Sequence, residues 1–534
     1  MNDGDLIAAL AKAAGESAVR TDDTALALAA SDVYESGPTP CAVVQPDSAE
    51  RVAAAVLAAT SRGYAVVPRG GGLSYTAGYL AANPRSVTLD LAALDRVYDV
   101  SPDDMTITVG AGTTWKKIEE TLRPLGLRLP FFGTFSGKSA TVGGGLSHGA
   151  LFFGSARYGS AADIVLGLQV ACADGSLLST GQRALAIDSK PFLRSFGPDL
   201  TGLFVHDGGA LGVKTAATFK VISTPPEEDY ASFAFKRFEN AAAALSDIAR
   251  RDLAEEVYVL DPGTTDNFNP SANDVLRSAT ALAKSARGPV QALSQLVTAG
   301  TAGTRVIPEG HYSLHLTAAG RSEAAVNADR DTARELAEKQ GGVEVASTIP
   351  RVSRADRFSH LNDILGPDGG RWTALNAKVA HSDAPSLVSR FEELLERHDD
   401  DLTGEGVRVT RLATALSNHC FSFEPVFHWT DSWLPIHREA VDPSHLRRFN
   451  EPAANASARA LVATLRKETI ELFRHLGAAS NQIGRAYPYY SALAPGPAAL
   501  LTALKQHLDP QGLMNPGVLE LAPTATAGSN SAGG

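Results

Sequence analysis

The sequence predicts an α+β protein of two domains, and three observations carry that reading. A β-α-β unit over residues 41–69 runs into a glycine loop. The acidic, proline-bearing stretch TPPEEDY interrupts the pattern at 224–230. Beyond it, strands alternate with Ala-rich helices. At 534 residues the chain has room for more than one core, because domains run to roughly 100–200 residues. Its 44% hydrophobic content supplies the side chains to fill them.

Taken in order, residues 4–30 are rich in Ala, Leu and Asp and read as one or two helices. CAVVQP at 41–46 reads as a strand. In DSAERVAAAVLAATSRGY, Val52, Val56, Leu57 and Ala59 recur at helical spacing, and Gly63 stops the helix. AVVPRG is the next strand. SVTLDLAAL and MTITVGAG alternate as strands do. TTWKKIEETLRPLGL is a helix ending near Gly126. ADIVLGLQVACADGSLLST reads as two strands about the turn pair Asp174-Gly175, and GALGVKTAATFKVIS as one more. After the 224–230 linker, ASFAFKRF, EVYVLDP and YSLHLTAAG are strands and SEAAVNADRDTARELAEKQGG is a helix, the pattern of an α+β domain on an antiparallel sheet. PAALLTALKQHLDPQGLMNPGVLEL closes with a helix and a turn, and the small, polar APTATAGSNSAGG is expected to be disordered. The expected division is a first domain over 1–225, a second over 226–485, a segment over 486–520 that returns to the first, and a tail over 521–534.

Charge and cysteine usage exclude several classes. With 48 basic and 59 acidic residues the net charge is −11, which argues against nucleic acid, whose binding needs basic surface to release counterions. No apolar run approaches the ~20 residues of a membrane helix. Cys41, Cys172 and Cys420 are scattered, without a CxxC pair, which fits a reducing cytoplasm. The opening MNDGDLIAALAKAAG is acidic where a secretory leader is positive.

Glycine is concentrated in three loops, at 69–74 (RGGGLS), 141–147 (TVGGGLS) and 207–212 (DGGALG). The dinucleotide pattern G-x-G-x-x-G fails, since His148 stands where its last glycine belongs. GTFSGKS at 133–139 has three residues between its glycines where a phosphate-cradling P-loop needs four. A hydrolase elbow, G-x-S-x-G, is absent. Glycine lets a ligand approach the main chain, and Arg69 beside the first loop suits an anion. Three such loops fit a long ligand with a pyrophosphate at its middle.

VVPRGGGLSYTAGY, SVTLDLAALDRVYDVSPDDMTITVGAGTTW, ATVGGGLSHGA, YGSAADIVLGLQVACADGSLL, DLTGLFVHDGGALGVKTAATFKVI and LDPQGLMNPG occur in that order over residues 38–224 and 500–519. Together they resemble the FAD-binding domain of the vanillyl-alcohol oxidase / p-cresol methylhydroxylase superfamily of FAD-linked oxidases. The resemblance implies a PCMH-type FAD-binding domain joined to an α+β cap domain with an antiparallel sheet. It implies that Arg69, Gly70, Gly71, Gly72, Leu73 and Ser74 wrap the FAD pyrophosphate. Thr141, Val142, Gly143, Gly144, Gly145 and Ser147 would lie along the flavin and its ribityl chain. Asp163, Gly209, Gly212 and Val213 would sit near the cofactor, and Asn515 with Pro516 would return to close the site. Relatives attach FAD through a His in the first loop or a Cys just before the second. Leu73 and Ser139 occupy those positions here, so the flavin is expected to be non-covalent, with His419 and His428 left as the remaining attachment candidates.

SNQIGRAYPYYSALAPGPAALLTALKQHLDPQGLMNPG is similar to the C-terminal end of the D-lactate dehydrogenase and glycolate oxidase branch. That branch supplies a metal ligand from a Glu-His-Gly-x-Gly run, and Ser480, Asn481, Gln482, Ile483 and Gly484 replace it here. His419 and His428 are nine apart, which puts them on opposite faces of a strand. No metal is expected. KVAHSDAPSLVSRF resembles the stretch carrying the branch's carboxylate-binding lysine, which makes Lys378 the first candidate cation. Arg485 is the second, because arginine clamps carboxylates bidentately, and Arg371 is a reserve. His419 or His428 is the base candidate by residue type. Tyr487, two residues from Arg485, would share its pocket in an extended segment, as a pair able to hold a phenolate. Phe421, Phe423 and Phe427 share one face at strand spacing, which favours burial. The implied activity is oxidation of a hydroxyl-bearing carbon by hydride transfer to flavin N5. A 2-hydroxy acid of the D-lactate or glycolate kind is favoured as substrate, and a phenolic or benzylic alcohol is the rival. A flavin-binding carrier or sensor is the alternative of another class. Dioxygen or another acceptor would take the electrons. Which acceptor, and whether the protein is a homodimer, stay open.

Overall fold

The computed structural model describes residues 3–265, 307–358 and 361–521. The first sheet has four strands in the order Val19–Arg20, Ala42–Val44, Ser86–Asp90, Ala65–Arg69. The last three run parallel. The crossover helix Ala49–Thr60 therefore skips one place, which Ser86–Asp90 fills. Ser48 starts that helix by accepting the Arg51 N–H at 3.3 Å, and Gly63 follows its end with φ 71°. Val52, Val56 and Ala59 join Leu6, Leu10, Val66, Val87 and Leu89 in one core. Leu57, expected on that face, points outward and is 46% exposed.

The second sheet has five antiparallel strands in the order Val97–Ser101, Thr106–Gly110, Val213–Lys220, Val165–Ala171, Leu177–Ser179. The expected turn at Asp174-Gly175 joins the last two, with the Ser176 N–H on Asp174 Oδ1 at 2.9 Å. Strand Val97–Ser101 was not readable beforehand, because its face is largely exposed and carries no apolar alternation. Trp115, Phe131 and Phe219 fill the core behind this sheet.

The third sheet has eight strands, antiparallel throughout. Its order is Val343–Val345, Glu227–Phe235, Tyr312–Gly320, Glu256–Leu260, Arg408–Leu416, Cys420–Trp429, Arg371–Ala374, and Ala377–Ala380 also pairs with Cys420–Trp429. The stretch read as a linker at 224–230 is partly strand, since Glu227–Tyr230 pairs with Thr317–Gly320. Helices Phe238–Arg250, Glu323–Lys339, Ala384–Glu396 and Ala456–His475 contribute to the core on one face, where Phe421, Phe423 and Phe427 are buried as their spacing predicts. The other face meets the N-terminal half of the chain: Tyr258, Leu260 and Leu412 pack with Phe132, Phe152 and Phe153. A buried charge cluster pins the same junction. Arg354 bonds Glu228, Glu255 and Glu256 at 2.6–2.7 Å, and Arg128 bonds Glu255. The architecture is α+β, with a mixed-strand region and an antiparallel cap sheet laid over it. The C-terminal stretch returns as expected: the Val66 N–H donates to Leu513 O at 2.8 Å and the Asn515 N–H to Val66 O at 2.9 Å. Most of the tail, 522–534, lies outside the described residues.

Candidate active site

Strand Ala65–Arg69 delivers the first glycine loop directly against the second. A methyl on Gly70 would lie 2.3 Å from Thr141 Oγ1, and one on Gly71 would lie 2.3 Å from Ser139 O. These glycines are required by loop-on-loop contact. Thr141 also caps a helix, Val142–His148, by accepting the Gly144 N–H at 3.3 Å. The second glycine run is thus helical where an open loop was expected. Gly145 is needed there because a Cβ would come within 2.5 Å of Trp115. Between the two runs lies a groove of about 370 Å³ lined by Arg69, Gly70, Gly71, Lys117, Lys138 and Thr141 among others. The buried Arg69 Nε has no hydrogen-bond partner among the described residues. Asp90 and Asp95 line the groove as well, and Lys117 pairs with Asp95 at 2.7 Å, so among the lining cations Arg69, with its unpaired Nε, is the one that suits a pyrophosphate.

The third loop is braced from below and behind. Asp207 accepts the Gly209 N–H at 3.0 Å and pairs with the buried Lys214 at 2.5 Å. Gly212 fits against Val170 where Val213 begins its strand. Asn515 ties the first and third loops together, donating from Nδ2 to Gly78 O at 2.8 Å and to Gly208 O at 2.7 Å. Asp163 is committed to its own turn, accepting the Ser160 N–H at 2.7 Å and the Ser160 hydroxyl at 2.8 Å. Leu73 packs in an apolar cluster with Tyr75 and Trp372, while Ser74 bonds Gln482 at 2.9 Å.

Over this base the cap sheet presents Ser422, Glu424 and His428, which alternate with the buried phenylalanines. Glu424 is the notable one. It is half-buried, and Asn376 hydrogen-bonds it. Burial pushes its carboxyl up to about 7. Beside it, Asn376 donates from Nδ2 to Ser422 Oγ at 3.1 Å and from its N–H to the Tyr487 hydroxyl at 2.7 Å. The Tyr75 hydroxyl accepts from Gln482 Nε2 at 3.1 Å. Lys378 stands opposite Ser422 in the register. Its backbone pairs with Ala479, and its ammonium makes no hydrogen bond or ion pair among the described residues. Burial lowers its pKa. His148 and His206, both brought down to about 4 by burial, complete the lower wall as neutral rings.

The other predicted side chains go elsewhere. His419 is exposed in the turn between strands Arg408–Leu416 and Cys420–Trp429, so it reaches no pocket. His428 shares Nε2 with Thr410 Oγ1 at 2.9 Å, and burial lowers it to about 4, too weak a base at neutral pH. Arg371 lies over the Trp429 ring and pairs with the buried Asp431 at 3.0 Å, so its charge is taken. Arg485 spends its guanidinium on Ala77 O, Leu80 O, Pro516 O and Asn515 Oδ1. It does not pair with Tyr487, because the segment between them turns and is not extended. Sequence reading passed over Glu424 as a site residue, although an acid out of phase with Phe421, Phe423 and Phe427 was the available signal.

Comparison with known proteins agrees with the groove. The profile described as FAD binding domain matches residues 40–181, and that of the FAD linked oxidases, C-terminal domain, matches residues 483–519. The two stretches, about a third of the chain together, are similar to the FAD-binding domain and the C-terminal domain of FAD linked oxidases. The chain is 31% identical over 202 residues to a D-2-hydroxyglutarate dehydrogenase of Xanthomonas citri pv. viticola, covering 38% of the chain and 41% of that protein. It is 24% identical over 390 residues to a mitochondrial D-lactate dehydrogenase (cytochrome) of Kluyveromyces lactis, covering 72% and 60%. The chain thus spans less than two thirds of these relatives' own length. Its fold matches 4-ethylphenol oxidase from Gulosibacter chungangensis with a TM-score of 0.71 at 17% identity, covering 98% of this chain and 97% of that one. For p-cresol methylhydroxylase the values are 0.69, 16%, 97% and 97%. Among the described residues, no helix is long and apolar enough to cross a membrane.

Proposed function

We propose that this protein uses FAD, bound without a covalent link, to oxidise the hydroxyl-bearing carbon of a 2-hydroxy acid. The observation that carries the reading is Lys378: an enclosed ammonium with no hydrogen bond or ion pair among the described residues, and only the more distant charge of Asp163 and the Cys420 thiol acting on it. A substrate carboxylate would supply the missing partner. The names of the relatives, D-2-hydroxyglutarate and D-lactate dehydrogenases, point to the same substrate class. FAD would lie in the groove between Gly70–Gly71 and Thr141, with Arg69 toward its pyrophosphate, and would supply the two-electron oxidation. Leu73 and Ser139 offer no nucleophile for attachment where relatives carry one. In this reading residues 1–225 with 486–520 hold the cofactor, and 226–485 cap it.

Anaerobic flavin reduction by D-2-hydroxyglutarate, D-lactate and D-mandelate tests the substrate class. Lys378→Met should raise the half-saturating concentration of a 2-hydroxy acid more than tenfold, since losing a buried charge partner costs about 2–5 kcal/mol at ~1.4 kcal/mol per decade, and should leave FAD content unchanged. Reduction by vanillyl alcohol and by none of the three acids would end the proposal. Flavin that stays with the denatured chain would end its non-covalent part.

A further inference from the structure

We propose that the protein pairs with a second copy of itself, about a twofold axis, through the stretch 187–203. The stretch lies between the edge strand Leu177–Ser179 and the third glycine loop. Six of the fourteen large apolar side chains that stand exposed among the described residues fall in its seventeen positions: Ile187, Phe192, Leu193, Phe196, Leu200 and Leu203. Ile187 is 70% exposed and Phe196 68%. The six together expose the equivalent of about three whole side chains, on the order of 500 Å² of apolar surface. Each side of a standard protein interface buries about 800 Å², so this patch and a modest rim would fill one. Single exposed leucines are ordinary, whereas a patch of this size marks a contact.

The patch is built, and is not the by-product of a slack loop. Residues 185–200 form no helix or strand, yet their own hydrogen bonds hold them. The Gln182 N–H donates to Leu193 O at 3.0 Å, and the Ser189 hydroxyl to Gln182 O at 2.9 Å. Arg194 Nε donates to Asp199 at 2.8 Å, and Asp199 accepts the Gly202 N–H at 2.9 Å. The buried Thr201 shares a hydroxyl–hydroxyl bond with Thr180 at 2.9 Å. The backbone is thus fixed while the apolar side chains stay in water. Irregular runs longer than ~12–15 residues are uncommon in compact domains, and the ordered ones usually carry a function.

Charge selects the occupant. Arg183, Lys190 and Arg194 stand against Asp104, Asp188 and Asp199, so the face offers no net sign to an anionic membrane or to a strongly charged protein. Lys190 pairs with Asp104 at 2.7 Å and Arg194 with Asp199 at 2.8 Å. Arg183 and Asp188 are exposed and form no ion pair among the described residues. They stand on either side of Ile187 with opposite signs. A twofold axis through the patch lets Arg183 of each copy meet Asp188 of the other, because such a contact is reciprocal. An apolar centre with a polar rim is the anatomy of a specific interface. The stretch also braces the cofactor side of the fold: Arg194 holds Ala162 O, and the turn Thr201–Phe204 runs on into Asp207.

The test uses the full chain as purified, and none of its readouts depends on the substrate class proposed above. Sedimentation velocity across the micromolar range should show the wild type passing from one to two copies, with a melting temperature that rises with protein concentration. Phe192→Ser combined with Phe196→Ser changes only exposed side chains and should weaken pairing at least about tenfold. Arg183→Asp and Asp188→Arg should each weaken it about tenfold or more, since each sets like charges against one another across the axis. Mixed in equal amounts, these two single variants should pair nearly as tightly as the wild type, because each then meets its opposite in the other. Recovery on mixing requires that the two positions face each other across copies. A wild type that stays single throughout the range, a Phe192→Ser, Phe196→Ser protein that pairs like the wild type, or a mixture that does not recover would overturn the proposal. Flotation of a single-copy wild type with phosphatidylglycerol vesicles would overturn it too, and would give the face to a membrane.

Discussion

Gly71→Ala is the sharpest probe of the cofactor groove. The added methyl would lie 2.3 Å from Ser139 O, 2.9 Å from its carbonyl carbon and 3.2 Å from Ala140 Cα. All three are backbone atoms, so no side chain can swing away. The loops must part by roughly 1 Å to restore ordinary contact, and they part across the groove proposed for the pyrophosphate. Overpacking of this kind costs about 1–3 kcal/mol. An apoprotein can relax that strain by opening the groove, whereas FAD needs it narrow, so most of the cost should appear in binding. At ~1.4 kcal/mol per decade the dissociation constant rises about 5- to 150-fold. Titrating the apoprotein with FAD, followed by flavin fluorescence, measures it. Gly197→Ala is the control, because its methyl would meet nothing within 4 Å. A Gly71→Ala protein that binds FAD within twofold of wild type and melts at the same temperature would falsify the contact argument.

Arg485→Met should lower the melting temperature and loosen FAD together, by about 3–5 kcal/mol of lost buried contacts, as thermal denaturation with and without added FAD would show. A change confined to the half-saturating acid concentration would restore the substrate-clamp reading. Tyr487→Phe removes the acceptor of the Asn376 N–H and should cost about 1–3 kcal/mol of stability, measured by urea denaturation, with no change in the order of substrate preference. Stability should also fall as pH drops from about 6.5 toward 4. His148, His206 and His428 sit near 4, and His315 and His437 near 3, all lowered by burial, so the unfolded chain takes up protons that the folded chain refuses. Each loses roughly 1.4 kcal/mol per pH unit in that window. Glu424 and Asp32, raised to about 7 and about 6, oppose the trend, as do Glu35, Asp261 and Asp329, raised by burial; His381, lowered by burial, adds to it, and the five strongly lowered histidines outweigh the two strongly raised acids. Denaturation midpoints at pH 7, 6 and 5 that stay level would refute this balance.

What could be read in the sequence was whatever repeats with a local period or a local turn. The crossover helix announced itself by Val52, Val56 and Ala59 with Ser48 and Gly63 at its ends, and the phenylalanines of the Cys420–Trp429 strand by their spacing of two. The edge strand Val97–Ser101 carried no such alternation and was missed. The glycine loops were visible, but not that Gly71 answers to Ser139, since that contact joins positions almost seventy residues apart. Side-chain commitments were least legible. Arg371 and Arg485 looked like available cations because nothing local shows that Asp431 and the carbonyls of Ala77 and Leu80 claim them. Glu424 was passed over because residue type favoured histidine. Its neighbours Asn376, Tyr487 and Tyr75 come from three other parts of the chain, which local spacing does not show.

The knot at Asn515 has a consequence for synthesis. Asn515 holds Gly78 and Gly208, and Lys505 holds Ala210 O and Met514 O at 2.7 and 3.0 Å. The parts that grip the first and third loops are therefore made long after the loops themselves. Within the first 225 residues the Gly208 N–H on Ser147 O, at 3.1 Å, and the seat of Gly70 on Thr141 already join the glycine runs. A fragment ending before Lys505 would keep that joint and lack the outer clasp, so it should hold the flavin more weakly than the full chain.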